Sequence, residues 1–491
     1  MSEMSLSPAL RNALDELHAG NGAKGEEIVI LAIRQAEATH GAVSAEHAAA
    51  LFDAGQFFAV IGDYRRAAST FRKAAEIKVP GDEAVKQRLT YLRHVGEMLR
   101  YAGDLDAAEK VLKEGLEERR SYYGAEHAGY AFGLEPLAEV VWLQGRPGEA
   151  HALIKEAVEN LWRNENPQVF SVLALLAFVH HAAGVEGGAF EGLPPLADAD
   201  IDHVIEHTLF RATHLPDDND CRPALEDLYE WVSAARGPNH PSLVSILAKV
   251  AERARLVEDS DTQSEALARL IEVCRSNNDT EQAIKAVQAL ALVHDAAGRV
   301  DEADARYRLA LEWAREFGDP QRLSQVLRNR ALFLREHERI AEAEALLHES
   351  IALGKTAQDA ESQGRALVAL GILVQHTGRL DEAQRWLEEA IAVLPRAHPD
   401  LLFARSHLNA IVRGGSCGCG NMNEAYSETL RALVDPSLPD GLIDELRVDP
   451  DGGVHVQLSR APEGDEQELL SRVLDHAVRA VRAGIRHSGY S

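Results

Sequence analysis

The sequence has few aromatic residues, few cysteines and no long apolar run. Aromatic residues make up 5% of the 491 positions, and there are four cysteines. So few cysteines do not form a disulfide scaffold, which favours a reducing compartment. The longest apolar run, residues 170–179, is too short to cross a bilayer. The first residues also lack a basic segment followed by an apolar one. We therefore predict a cytoplasmic protein without a membrane span.

Basic residues are scarce relative to acidic ones. Lys and Arg number 51 and Asp and Glu number 78, which gives a formal net charge of −27. A general binder of nucleic acid or anionic membranes needs a basic surface, so neither partner is predicted. A local basic groove remains compatible with this charge. The hydrophobic fraction of 46% is that of a globular chain.

One short string recurs along the chain at a nearly constant spacing. It reads Gly-Asp-Tyr-Arg-Arg-Ala where it first occurs, and six variants that keep the final alanine follow. The seven copies begin at Gly62, Gly103, Gly145, Gly298, Glu338, Gly378 and Gly420. Neighbouring copies are 40 to 42 residues apart, except across the gap between the third and the fourth. A fixed period of this length indicates an array of similar structural units.

The flanks of the string repeat too. A small residue precedes each of the first six copies by seven positions, and a large apolar residue follows the final alanine by four. These pairs are Gly55 and Phe71, Gly96 and Leu112, Ala138 and Ile154, Ala291 and Tyr307, Ala331 and Leu347, and Gly371 and Leu387. Apolar residues at three- and four-residue spacing predict a helix on each side of the string. The small residues would let the two helices approach closely. The turn glycine suits a left-handed helix end.

These features resemble the tetratricopeptide repeat family, in the longer form of about 42 residues that is typical of kinesin light chains. The connectors that begin at Gly124 and Gly237 are similar to those of that form. The resemblance covers most of residues 7–434. It implies an all-α fold, a right-handed superhelical α-solenoid of helix-turn-helix repeats. It also implies a non-catalytic scaffold or adaptor that binds a protein or peptide through its concave face.

Two segments depart from the repeat. Residues 185–222 interrupt one repeat and are predicted to contain a short helix at about 201–212. Near the C-terminus, residues 443–448 and 454–458 alternate apolar and polar side chains, which predicts a β-hairpin followed by a helix at about 464–485. The predicted organisation is therefore a first array at 1–184, the insertion at 185–222, a second array at 223–435 and a small ββα module at 436–491.

Two strings could carry metal or thiol chemistry. His203 and His207 lie one helical turn apart with Glu206 between them, a spacing that can hold zinc, with His214 or Cys221 as further ligands. The alternative is an exposed amphipathic helix. Cys417 and Cys419 are separated by one glycine in a lengthened turn, beside a helix start that favours thiolates.

The two turn thiols could bind zinc or copper(I), or form a disulfide reversibly. The alternative is a glycine-rich turn with idle thiols, and no other cofactor is predicted. Two rival functions follow from these observations and from the scaffold resemblance. One is a metal- or thiol-linked accessory protein centred on Cys417 and Cys419, and the other is a regulatory subunit of a neighbouring enzyme.

The family resemblance also implies groove residues. In such arrays the first helix of each repeat lines the concave face, and the residues beside its small packing residue point inward. Carried over position by position, the candidates are Arg93, Arg100, Tyr101, Lys285, Arg328, Asn329, Arg335, Arg365 and His376. The later candidates are more basic than the chain as a whole, which predicts an acidic or carboxylate-ended peptide as the partner. The alternative is that these are only solvated helix positions.

Overall fold

The computed structural model describes residues 6–215, 220–395, 398, 400–412, 443–448 and 454–459. In this part the chain forms twenty α-helices and two β-strands. Two compact units divide between Val273 and Cys274, and they are called unit 1 and unit 2 below. None of the helices in the described residues combines the length and the apolar character that a membrane span requires.

The helices follow one another with short connections, except after α9. In unit 1 they are α1 (Pro8–His18), α2 (Gly22–His40), α3 (Ala45–Val60), α4 (Tyr64–Glu76), α5 (Asp82–Tyr101), α6 (Leu105–Tyr123), α7 (Ala128–Leu143), α8 (Pro147–Arg163), α9 (Val169–Ala182), α10 (Asp198–His214), α11 (Arg222–Arg236), α12 (Leu243–Leu256) and α13 (Ser260–Ser276), whose last residues belong to unit 2. Unit 2 continues with α14 (Thr280–Ala296), α15 (Val300–Phe317), α16 (Pro320–Glu336), α17 (Ile340–Ala357), α18 (Ala360–His376), α19 (Leu380–Val393), α20 (Asp400–Val412), β1 (Ile443–Val448) and β2 (Val454–Leu458).

Consecutive helices pack as hairpins. Helix α7 packs against α8, α14 against α15, α16 against α17 and α18 against α19. The first helices of neighbouring hairpins also contact each other, as α5 does with α7 and α16 with α18. The predicted helix-turn-helix repeats are therefore confirmed in the described residues, whereas the right-handed sense of the superhelix stays a prediction.

The recurring string forms the turn between the two helices of a hairpin. The glycines of its described copies have φ values from 72° to 81°, the left-handed region that glycine enters without a steric penalty. Glu338, which stands where the other described copies have glycine, has a φ of 58°. In the first copy the next residue, Asp63, accepts a hydrogen bond from the backbone N–H of Arg66 at 3.1 Å. In the first two copies, with Asp63 and Asp104, the string thus combines a left-handed helix end with a side-chain N-cap for the next helix. The other four described copies have an arginine at this position, which makes no side-chain cap hydrogen bond.

The small residues before the turns are the points where helices approach each other. A Cβ atom added to Gly55 would lie 2.5 Å from the ring of Phe71, and one added to Gly371 would lie 2.7 Å from Leu387. Both distances are shorter than a van der Waals contact, so no larger residue fits without movement. The close approach that the sequence predicted is confirmed at these pairs.

The insertion in unit 1 is folded onto its neighbours. Its helix, α10, includes the predicted range 201–212 and buries Ile201, Val204 and Thr208 against the array. The chain before it is anchored where the ring of Phe190 stacks on Trp231 with 4.9 Å between the centroids. One face of α10 is thus part of the core, and the helix packs against α9.

The predicted β-hairpin is confirmed. Strands β1 and β2 pair antiparallel, with Leu446 opposite Val456 and Val448 opposite Val454, and the register is irregular near Ile443. The helix predicted at 464–485 lies outside the described residues, as do Cys417 and Cys419. The ββα module and the limits of the predicted domains therefore stay predictions.

Candidate binding surfaces

First helices of unit 1 line a concave pocket of about 490 Å³, called the unit 1 pocket below. Three of the predicted groove residues, Arg93, Arg100 and Tyr101, line it from α5. Helix α7 contributes Glu135, Glu139 and Trp142, α9 contributes Ser171, Leu175 and Phe178, and α10 contributes His207, Phe210, Arg211 and His214. The first-helix positions of these repeats therefore meet at one pocket, with the inserted helix as an additional wall.

The arginines of the unit 1 pocket are all paired with carboxylates. Arg93 Nε lies 2.7 Å from Glu97, and Arg100 lies 3.5 Å from Glu139. Arg211 pairs with Glu139 at 3.3 Å and also forms an ion pair with Glu135. The pocket thus holds three arginines and three carboxylates that compensate one another.

These pairs determine the ionisation of the pocket. Burial alone would raise the pKa of Glu97, but hydrogen bonds from His94 and Arg93 and their charges lower it to about 2. Burial acts to lower the pKa of Arg93, and the charges of Glu97, Glu135 and Glu139 raise it above its ordinary value. The charged forms are consequently the stable forms in this network.

The histidines of the inserted helix lie in different surroundings. His203 stacks on the ring of Phe170, with 6.2 Å between centroids, whereas His207 lines the unit 1 pocket. Burial and the charge of Arg211 lower the pKa of His207. Among the described residues, no group of three or more His, Cys, Asp or Glu side chains is arranged to hold a metal ion. The third ligand that the zinc hypothesis requires is therefore not supplied by the described residues.

The predicted candidates of unit 2 lie on first helices α14, α16 and α18, and the set is called the basic strip below. It consists of Lys285, Arg328, Asn329, Arg335, Arg365 and His376. Two members are engaged locally, since Lys285 pairs with Glu281 at 2.8 Å and Asn329 donates to Gln288 at 2.8 Å. Among the described residues, Arg335 forms one long ion pair, with the adjacent Glu336 at 3.7 Å.

Arg328 differs from every arginine of the unit 1 pocket. It is partly buried, and no ion pair or hydrogen bond joins it to another described residue. Burial and the positive charge of neighbouring Arg365 lower the pKa of Arg328 to about 10. Arg365 itself approaches Asp400 at 3.4 Å and Glu361 at 3.6 Å, but its buried Nε has no hydrogen-bond partner in the described part.

A buried histidine lies at the far end of the basic strip. His407 on α20 is 7% exposed and hydrogen bonds to Oε1 of Gln375 at 2.6 Å. Burial and the charges of His376 and Arg335 lower the pKa of His407 to about 4. His376 on α18 and Arg335 on α16 therefore lie close enough to His407 to disfavour its protonated form.

Sequence reasoning missed Phe210 and Arg211 as residues of the unit 1 pocket. Both belong to the insertion, which has no counterpart in the repeat, so no repeat position could be carried over to them. The two described cysteines, Cys221 and Cys274, are buried free thiols, and burial raises the pKa of both. The turn cysteines and their chemistry remain a prediction.

The packing and the two first-helix surfaces define a protein of helical hairpin repeats. The family model for the tetratricopeptide repeat matches residues 87–161 and 322–396, which include most of α5 with the first part of the unit 1 pocket and most of the basic strip. These two segments are tetratricopeptide repeats, which confirms the resemblance drawn from the turn string. No match was found among curated proteins.

Several solved structures are similar at low identity. The TPR-like repeats of a Podosopora anserina kinesin light chain are 15% identical, with 48% of this chain and 98% of that one covered and a TM-score of 0.28. BtubC from P. vanneervenii is 15% identical, with 56% and 93% covered and a TM-score of 0.30. A signal transduction ATPase of Pyrococcus horikoshii with a tetratricopeptide repeat sensor is 14% identical, with 76% and 53% covered and a TM-score of 0.36.

Proposed function

We propose that this chain is a non-catalytic scaffold whose basic strip in unit 2 binds an acidic or carboxylate-ended segment of a protein or peptide. The observation that carries the proposal is Arg328, a partly buried arginine with no partner in the described part. The family match supports the broad class, because tetratricopeptide repeats serve protein interaction. We expect this binding to take place in the cytoplasm.

An anion would relieve an unfavourable arrangement at Arg328. A guanidinium removed from water loses hydration, and at Arg328 the charges of Asp400, Glu361 and Asp359 offset that loss only in part, because none of them forms an ion pair with it. Burial is the main reason that the pKa of Arg328 falls to about 10, and the neighbouring charge of Arg365 lowers it further. A carboxylate between the two guanidinium groups would supply charge-assisted hydrogen bonds to both, and the planar guanidinium suits bidentate contact.

The rest of the basic strip extends this site along α16. Arg335 follows Arg328 by seven residues, about two helical turns or roughly 10 Å along the axis. His376 lies near Arg335, and burial of the imidazole together with the charge of Arg335 lowers the pKa of His376. A segment with a second acidic group could therefore contact Arg335 while its first carboxylate is held at Arg328. Asn329 would donate a hydrogen bond to the backbone between them after exchanging its contact with Gln288.

The test compares a labelled peptide of alternating glutamate and glycine that ends in a free carboxylate with its C-terminal amide. Arg328→Ala or Arg335→Ala should weaken binding of the acid about tenfold or more, because a hydrogen bond to a charged group contributes about 1.5–3 kcal/mol. Fluorescence anisotropy measures the dissociation constants. The amide should bind more weakly to the wild type and lose less in the variants.

The matched control removes three arginines from the second helices of unit 2, Arg308, Arg315 and Arg385. All three are exposed, so their removal changes the net charge without touching the basic strip. Binding should change less in this triple variant than in either single one. A larger loss in the triple variant would show that the second helices carry the site.

A further inference from the structure

The inserted helix α10 forms a wall of the unit 1 pocket that no repeat provides. It packs against α9 through its buried face, and Arg211 reaches the carboxylates of Glu135 and Glu139 on α7. These two ion pairs connect residues more than seventy positions apart, and the side chain of Arg211 is only 17% exposed. The inserted helix α10 is thus held beside the first helices α7 and α9, at the pocket that a partner would contact.

The arginines and glutamates of the unit 1 pocket offer a ligand no unpaired charge. Its arginines are paired with its carboxylates, and the lowered pKa of His207 favours the neutral imidazole. An acidic ligand would have to displace carboxylates from their arginines, and a basic one would have to displace arginines. The charge balance therefore favours a neutral group in this pocket.

The apolar part of the pocket is aromatic and incompletely covered. Trp142 and Phe178 stack with 6.2 Å between their centroids. Phe210 is 61% exposed and Tyr101 is 52% exposed, which is unusual for side chains of this size. Pockets that hold small ligands or side chains are lined mainly by hydrophobic and aromatic groups, with a few polar groups to orient the ligand. A volume of about 490 Å³ lies within their usual range.

We propose that the unit 1 pocket binds a large apolar side chain, preferably aromatic, of a protein or peptide partner, and that Phe210 and Arg211 of the insertion make it specific. The side chain would lie against Trp142 and Phe210, where aromatic rings pack edge to face or offset. The paired arginines and carboxylates would hydrogen bond to the neutral backbone around it. This inference rests on the proposed function as a peptide binder, but it concerns a different unit and a different ligand group.

The probe is N-acetyl-4-fluoro-phenylalaninamide, a neutral aromatic amino acid whose binding is followed by ¹⁹F NMR. Phe210→Ala should weaken its binding about fivefold to tenfold, and Phe210→Leu should recover part of the loss. Raising the salt concentration from about 50 mM to about 500 mM should change the affinity little, because no net charge is involved. The matched control is Phe317→Ala, an aromatic residue of unit 2 that is 43% exposed.

The charge balance is tested with the same ring carrying a free ammonium group, 4-fluoro-phenylalaninamide. The wild type should bind the neutral probe at least as tightly as this cationic one. Arg211→Ala leaves Glu135 and Glu139 short of one partner, so the cationic probe should gain about threefold or more relative to the neutral one. Circular dichroism establishes that each variant is folded.

Equal binding of the neutral probe by the wild type, Phe210→Ala and Phe317→Ala would overturn the proposal, and so would an absence of binding to the wild type. An unchanged preference between the probes in Arg211→Ala would overturn the role given to the ion pairs. These outcomes are independent of the carboxylate test in unit 2. Loss of the carboxylate effect with retained aromatic binding would refute the proposed acidic partner alone.

Discussion

The first-helix surfaces of units 1 and 2 are formed by the same type of helical hairpin, but they differ in how their arginines are paired with carboxylates. In the unit 1 pocket, Arg93, Arg100 and Arg211 each meet a carboxylate within 3.5 Å. In the basic strip of unit 2, Arg328 meets no partner in the described part of the chain. The repeat fixes where a side chain stands, whereas its neighbours decide whether its charge is available to a ligand.

The pKa values express this difference. Partners lower the pKa of Glu97 to about 2, so its carboxylate remains charged in mildly acidic solution. In unit 2, burial and like charge lower the pKa of Arg328 to about 10 and that of His407 to about 4. The first surface pairs its charges internally, whereas the second contains Arg328, a guanidinium without an ion pair in the described residues, and His407, an imidazole whose lowered pKa favours the neutral form. We conclude that the units differ in the ligand chemistry they accept.

The largest expected effect concerns acid and His407. The folded-state pKa of about 4 lies below the ordinary value of 6.5, so the unfolded chain takes up this proton first as the pH falls. Stability should therefore decline between about pH 6.5 and pH 4, by about 3 kcal/mol from this group at pH 4. His407→Gln removes the proton site and should make the decline between pH 7 and pH 4 smaller by that amount, as measured by urea unfolding.

An exposed histidine of unit 1 provides the control for the acid experiment. His40→Gln should leave the decline as it is in the wild type, because this side chain is exposed. Glu97, whose pKa is lowered from 4.5 to about 2, begins to lose its stabilisation below about pH 5, and this loss is the same in the wild type and both variants, so it cancels in the comparison. An identical decline in the wild type and His407→Gln would show that His407 is not the cause.

The local parts of this fold could be predicted from the sequence alone. The turn glycines, the small residues before them and the paired large residues all act within one hairpin, over about fifteen residues. The contact of Gly371 with Leu387 is such a pair, and the left-handed Gly378 lies between them. Short-range steric rules suffice there, because a hairpin repeats the same contacts whatever surrounds it.

The compensation of charge could not be predicted in this way. Arg93 and Arg328 occupy the same repeat position, but Arg93 forms an ion pair with Glu97 of its own helix, whereas Arg328 forms none in the described residues. Arg100 pairs with Glu139 of another helix. Arg211 belongs to an insertion whose docking depends on contacts far along the sequence. Whether a predicted groove residue is free for a ligand is thus a tertiary property, and the sequence pattern could give only its place on the first helix.

The next prediction concerns the close contact between a glycine and a leucine of the same hairpin, which occurs in both units. Gly96→Leu in unit 1 and Gly371→Leu in unit 2 each force a side chain against the opposite helix, where Leu112 and Leu387 already fill the space. Overpacking of this kind costs about 1–3 kcal/mol. Hydrogen exchange should become faster in the neighbouring hairpins of the same unit, because each repeat buries the next.

The matched control for overpacking is Gly148→Leu. A Cβ atom at this exposed glycine would meet nothing within 4 Å, so leucine there should leave the melting temperature unchanged or slightly higher. A melting temperature that stays constant in Gly371→Leu as well would mean that the helices of this hairpin do not approach as described. An effect in only one unit would limit the shared packing rule to that unit.

The smallest expected effect concerns the residue at the left-handed turn position, which differs between the two units. In unit 1 the turn positions at 62, 103 and 145 are glycines with positive φ, whereas unit 2 has Glu338 at φ 58° between two glycine turns. The left-handed conformation costs a residue with a side chain about 1–2 kcal/mol, a cost that glycine avoids. Glycine also loses more conformational entropy on folding, which cancels part of the gain in stability. Glu338→Gly should therefore stabilise the protein by about 0.5–1 kcal/mol in urea unfolding. Glu338→Ala keeps the steric cost and should change stability little, so an equal gain in both variants would assign the effect to the lost charge instead of the backbone.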